Sequence, residues 1–145
     1  MSDVPAAHEV ALHIASTLHS SGIDYAIGGA LALNLWGPAR GTRDVDINLF
    51  IQASALGDAF EALELAGVIL DRDKCLRRSK REGMFVGDYN GMRIDVFVPS
   101  IEFSWVAAAS RVTVQTDYGP IDFLSAEALA VFKLLFFRPK DIVDL

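Results

Sequence analysis

Tyr25-Ala26-Ile27-Gly28-Gly29, followed by Arg40-Gly41-Thr42-Arg43-Asp44-Val45-Asp46, reads as a strand, a glycine turn, a short apolar helix and a second strand carrying two carboxylates. Side chains alternate across a strand, so Asp44 and Asp46 point to one side, roughly 7 Å apart along the backbone. Asn48 shares that face, while Val45, Ile47, Leu49 and Ile51 fill the other. Two acids on the polar face of an apolar strand suit one or two divalent cations. The glycine turn upstream offers a helix N-terminus, where free N–H groups and the dipole favour phosphate.

A third carboxylate fits the same plan. Gly91-Met92-Arg93-Ile94-Asp95-Val96-Phe97-Val98 alternates, with Ile94, Val96 and Val98 on one face and Arg93, Asp95 and Phe97 on the other. If this strand lies beside the Asp44/Asp46 strand, three acids converge. Metal plus phosphate is the chemistry of nucleotidyl transfer. The Gly-Gly turn, the short helix, Arg-x-Thr-x-Asp-x-Asp and the later Asp resemble the DNA polymerase beta superfamily of nucleotidyltransferases. Within it, residues 40–46 most resemble the AbiE-type and MenT-type toxin nucleotidyltransferases. The tail Lys133-Leu134-Leu135-Phe136-Phe137-Arg138-Pro139-Lys140-Asp141 adds to the likeness, which spans about residues 22 to 145.

The resemblance implies a nucleotidyltransferase fold, a mixed twisted β-sheet flanked by helices. It implies transfer of a nucleoside monophosphate from a nucleoside triphosphate to a hydroxyl acceptor, an RNA or tRNA end or a protein, with two magnesium ions. Asp44, Asp46 and Asp95 would be catalytic and hold metal. Gly28, Gly29, Arg40, Thr42 and Lys133 would bind the nucleotide. A toxin role with a cognate antitoxin follows from the same likeness. The chain departs from the family at Phe136-Phe137, where small residues are usual. Aminoglycoside and lincosamide nucleotidyltransferases are rivals, but tend to carry His where Thr42 stands. A decayed member that binds a partner without chemistry is a third reading.

Each piece also has a plain structural explanation. Gly28-Gly29 can be a tight turn, Asp-x-Asp can keep a strand face soluble, and Lys133 can snorkel at a helix edge. Arg40 and Thr42 can pair with the acids. Their joint occurrence in this order favours the site.

At 145 residues the chain is read as one domain, 1–145, long enough for its own core, and shorter than relatives that continue into more helix. Hydrophobic residues make up 52% and charged ones 22%, which excludes a disordered polymer. No apolar run approaches the ~20 residues of a membrane span, and no signal-peptide pattern is visible. The lone Cys75 cannot form an internal disulfide and suits a reducing cytoplasm. His8, His13 and His19 lack the i, i+4 spacing of a helical metal pair and read as surface residues.

The net charge of −6 argues against a surface that binds nucleic acid everywhere. Yet Arg72, Lys74, Arg77, Arg78, Lys80 and Arg81 put six positive charges into ten residues. Arg77, Arg78, Lys80 and Arg81 are candidate RNA contacts; the alternative is a solvated loop or hairpin tip.

Patterning predicts helices over 6–19, 30–35, 54–65 (capped by Ser54), 102–109 and from Ser125 onward. It predicts strands over 25–27, 44–51, 68–70, 84–89, 93–98 and 111–116, with a hairpin turn at Asn90-Gly91 and a break at 117–120. This mixture makes the fold α/β or α+β around a mixed sheet. From Ala128 to Phe137 the last helix is apolar on every side but for Lys133, which predicts a covering partner, read as a homodimer.

Overall fold

The computed structural model of the chain describes residues 6–28 and 44–135. Among them α1 (Ala7–Ser20) leads into β1 (Tyr25–Gly28) and β2 (Val45–Leu49). A 3-10 turn (Ala53–Ala55) and α2 (Leu56–Ala66) follow, then α3 (Arg72–Glu82), β3 (Met84–Tyr89) and β4 (Met92–Phe97). The last elements are α4 (Phe103–Ala109), β5 (Val112–Thr116), β6 (Gly119–Phe123) and α5 (Ala126–Leu135). The strands form one sheet in the order β3-β4-β2-β1-β6-β5. β2 runs parallel to β4 and β1 parallel to β6, and the other neighbours are antiparallel. The expected mixed sheet flanked by helices is what forms.

Alternation along each strand sorts the residues into two layers. Val45, Ile47, Leu49, Ile94, Val96 and Phe85 pack under α1 and α2 in the main core. Both helices present apolar residues at three- and four-residue spacing, Val10, Ile14 and Leu18 on α1, and Ala59, Leu63 and Ala66 on α2. The opposite face carries a smaller cluster of Ala26, Phe50, Ala107, Leu124, Ala128 and Leu129. Phe103 and Phe132 meet beside it edge to face, 5.3 Å between centroids. That cluster stops short of the polar half of β2 and β4. Asp46, Asn48, Arg93 and Asp95 lie on that half, none of them fully buried.

Arg111 and Tyr25 tie the far side of the sheet together. Arg111 donates from Nε to the Ala108 carbonyl (2.7 Å) and from Nη1 to the Tyr25 carbonyl (3.1 Å) and Asp122 Oδ2 (3.3 Å). The buried Tyr25 hydroxyl accepts from the Asp122 N–H at 3.2 Å.

Three expectations fail for local reasons. Residues 72–81 form a helix, not a loop or hairpin tip. Asp71 Oδ1 accepts the Lys74 N–H at its start, Gly83 closes it at φ 73°, and Cys75 is its one buried residue. Ser54 caps nothing: it lies within the 3-10 turn, and neither that turn nor α2 has a side-chain cap. The break at 117–120 is only the two-residue turn Asp117-Tyr118, after which the chain returns as β6. Pro120 is tolerated there because β6 pairs in register with β1 only at Phe123.

His13 is not a surface residue. Its Nε2 lies 2.7 Å from the Ala66 carbonyl and its ring packs on Tyr89. Ser125 does cap α5, accepting the Ala128 N–H at 3.1 Å. The segment 68–70 contributes one antiparallel bridge, Ile69 to Asp88. The expected helix over 30–35 lies outside the described residues.

Candidate active site

β2 and β4 run side by side in register, with Asp46 opposite Asp95 and Asn48 opposite Phe97. On the other side of β2, Gly28 at the end of β1 is the partner of Asp46. The turn residue and two of the three acids therefore occupy one row across the sheet. Asp44 stands just before β2, exposed, and Asp46 and Asp95 are half-buried.

Gly28 is glycine here because of space. An added Cβ would stand 2.7 Å from Asn48 Nδ2 and 3.0 Å from Leu124 Cδ1. The bare backbone lets the Asn48 carboxamide lie against the strand end beside Asp46.

The acids are not alone. Arg93, on the same face of β4, donates from Nε to Asp95 Oδ1 at 2.6 Å. This bond to Asp95 raises the Arg93 pKa, and the charges of Asp95, Asp44 and Asp46 add to it. One guanidinium thus stands in the field of all three carboxylates. Sequence reasoning put Arg93 on the acid face but gave it no role. The signal was present in Arg93-Ile94-Asp95, since residues two apart on a strand share a face.

Asp46, Arg93 and Asp95 open into a cleft of about 610 Å³, which Asp44 does not line. Its floor is Asp46, Asn48, Arg93 and Asp95. One wall is the end of α3, with Arg78 and Glu82, and the other is α5, with Leu129, Phe132 and Lys133. Lys133 therefore lines the same cleft as Asp46 and Asp95. Of the four candidate RNA contacts only Arg78 lines it; Arg77, Lys80 and Arg81 do not. Arg78 donates to Glu82 Oε2 at 2.9 Å and Arg81 to the same oxygen at 3.2 Å. Arg81, then Arg78, hold the Glu82 carboxyl below the usual range. At the other end of α3, Arg72 pairs with Glu64.

Gly29, Arg40 and Thr42 lie outside the described residues. The donor set on the cleft floor, carboxylates from adjacent strands on one face, fits a hard divalent cation. As the side chains stand, no three His, Cys, Asp or Glu groups among the described residues converge closely enough to hold one. Arg93 takes up one oxygen of Asp95 instead. The backbone placement suits a metal, and the rotamers are those of an acid paired with an arginine.

No protein-family model and no curated protein matches this sequence. Solved structures do match in shape. A proposed nucleotidyltransferase from Thermotoga maritima superposes with a TM-score of 0.65 at 18% identity, over 94% of this chain and 88% of that one. The antibiotic-resistance factor ANT(2'')-Ia, solved in complex with adenylyl-2''-tobramycin, gives 0.58 at 17% identity, over 94% and 85%. An antigenic nucleotidyltransferase-like protein from Paracoccidioides brasiliensis gives 0.53 at 17%, over 97% and 74%. The closeness to toxin enzymes suggested by residues 40–46 finds no counterpart among these three. What they establish is the architecture: the chain has the nucleotidyltransferase fold.

Proposed function

We propose that this chain is a metal-dependent nucleotidyltransferase that moves a nucleoside monophosphate from a nucleoside triphosphate to a hydroxyl acceptor. The observation that carries the proposal is the pairing of Asp46 with Asp95 across β2 and β4, within this fold and in one cleft with Lys133. Among the described residues the cleft lining holds three carboxylates (Asp46, Asp95, Glu82) and three cationic groups (Arg78, Arg93, Lys133). Asp44 adds a further negative charge beside them, so a triphosphate needs additional positive charge to enter.

Two magnesium ions held by Asp44, Asp46 and Asp95 would supply that charge and polarise the reacting oxygens. Gly28 and Gly29 would bind the phosphates through backbone N–H groups at the turn after β1. Lys133, from the α5 wall, neutralises phosphate charge, as would Arg40, with Thr42 orienting a phosphate oxygen. Asp95 accepts the proton of the acceptor hydroxyl. That oxygen forms a bond to the α-phosphorus while the bond from it to the bridging oxygen of the β-phosphate breaks. Pyrophosphate leaves with the electron pair.

The motif at residues 40–46 favours an acceptor of the toxin type, an RNA or tRNA end or a protein hydroxyl, and with it a cognate antitoxin. A homodimer through the last helix belongs to the same reading, supported by Leu134 and Leu135 at 68% and 56% exposure. A cytoplasmic location fits the lone, buried Cys75; no helix among the described residues is long and apolar enough to cross a membrane.

Two specific observations keep rivals open. The shape shared with ANT(2'')-Ia favours a small antibiotic acceptor. The Arg93–Asp95 pair favours a protein that has kept the fold and lost the chemistry. Incubation with each labelled nucleoside triphosphate, magnesium, and either total RNA, total protein or tobramycin separates them. Label on RNA or protein is expected, and its absence from all three acceptors would leave the binding-protein reading.

A further inference from the structure

Arg93 and Asp95 form an ion pair on the cleft floor, and the proposed chemistry leaves the arginine unused. The Nε–Oδ1 distance of 2.6 Å is short even for a charge-assisted bond. Asp95 is the inner partner at 15% side-chain exposure and Arg93 the outer one at 54%. The pair is therefore held on one side by the sheet and is open to the cleft on the other. Asp44 and Asp46 act on the same guanidinium. The backbone of Arg93 is held by its register partner Asp88 on β3.

We propose that Arg93 is an internal counter-ion of the acid cluster, a positioning residue that holds Asp95 until metal and triphosphate bind together and then turns its guanidinium to the phosphates. The proposal rests on the metal-dependent reading above. A guanidinium and a dication drawn to one carboxylate repel each other, so each weakens the other's hold. An incoming triphosphate reverses the balance, since it attracts both. Arg93 therefore makes metal binding depend on nucleotide, and nucleotide binding on metal, by the same factor. In the resting protein it offsets part of the negative charge of Asp95, Asp44 and Asp46. It also keeps the site from filling with metal when no substrate is present.

The test is direct binding of manganese to the whole chain, by electron paramagnetic resonance, with and without a non-hydrolysable triphosphate. Arg93→Met preserves the side-chain stem on an exposed position, and Arg93→Lys preserves the charge. Without nucleotide, Arg93→Met should bind manganese about fivefold to tenfold more tightly than the wild type, the usual scale of such coupling. With manganese saturating, it should bind the triphosphate more weakly by a similar factor. Arg93→Lys should fall between the two on both counts. A merely structural arginine would not move the two affinities in opposite directions. Equal manganese affinity in wild type and Arg93→Met overturns the counter-ion role and leaves the transferase reading standing. If neither protein binds manganese at millimolar concentration, both fall together.

Discussion

Asp46 and Asp95 are Cα partners in the parallel β2–β4 pair, on the face of the sheet turned away from α1 and α2. Adjacent strands lie about 4.8 Å apart, which puts the two carboxylates within reach of a shared ligand. Asp46→Asn and Asp44→Asn should abolish magnesium-dependent triphosphate binding and transfer. Both positions are at least partly open to solvent, so stability should change by less than about 1 kcal/mol. Calorimetric titration of the nucleotide beside thermal melts checks this; transfer at wild-type rate in both variants removes these acids from the mechanism.

The alternation in residues 45–51 and 92–98 made both acid strands legible, because a period of two is a local property. Their adjacency is not local: nothing in either stretch says that β4 pairs with β2 and not with β1. The family likeness supplied that link, and the sheet order bears it out. α3 was missed because its apolar stripe is almost nil, with Cys75 its one buried residue, so periodicity had nothing to detect. Its signals were the cap at Asp71 and the glycine at 83. β6 was missed because Gly119-Pro120 reads as punctuation, and only the pairing shows that Pro120 lies beyond the reach of β1. Arg93 was visible yet unweighted, since an arginine beside an acid becomes informative only when its partner is known.

Gly28→Ala tests the fit at the end of β1. The new methyl would meet the Asn48 amide at 2.7 Å and Leu124 at 3.0 Å, so one or both must shift. A cost of about 1–3 kcal/mol is expected, as for other overpacked sites. In an Asn48→Ala background the same change should cost at least about 0.5 kcal/mol less, because the nearer clash is gone. A double-mutant cycle by urea unfolding measures the difference. Additive costs would mean that Leu124, and not Asn48, sets the space.

Tyr25 predicts an alkaline limit to stability. Burial is the main cause that pushes its phenol above its ordinary value, with the Asp122 charge adding to the rise. An unfolded tyrosine ionises near pH 10. The folded state thus holds its proton more tightly, so the contribution is whole below about pH 10 and is lost as pH rises through the folded value. Unfolding free energy should fall by up to about 1.4 kcal/mol per pH unit in that window from this group alone. Tyr25→Phe should lose about 1 kcal/mol at pH 7, with the hydrogen bond from the Asp122 N–H. The gap between the two proteins should close above pH 10. A constant gap from pH 7 to 11 would mean that the hydroxyl titrates as freely folded as unfolded.

α3 distinguishes the acceptor classes, because its charges divide by position. Arg78 lines the cleft, whereas Arg77, Lys80 and Arg81 lie outside it on the same helix. Arg81 already shares Glu82 with Arg78, and Arg77 and Lys80 are at least partly open to solvent. If RNA is the acceptor, Arg77→Ala, Lys80→Ala and Arg81→Ala together should weaken RNA binding. They should also flatten its salt dependence by about 0.7 in the log–log slope for each single-strand phosphate that is no longer neutralised. Triphosphate affinity should not change, since none of the three reaches the cleft. Arg78→Ala alone should lower the rate of transfer to every acceptor, because it removes charge from the cleft wall and leaves Glu82 with one partner fewer. Filter binding at several salt concentrations, with labelled-nucleotide transfer alongside, separates the two variants. Full RNA labelling with an unchanged salt slope in the triple variant would reduce α3 to a solvated helix, and a protein or small-molecule acceptor would then fit the cleft better.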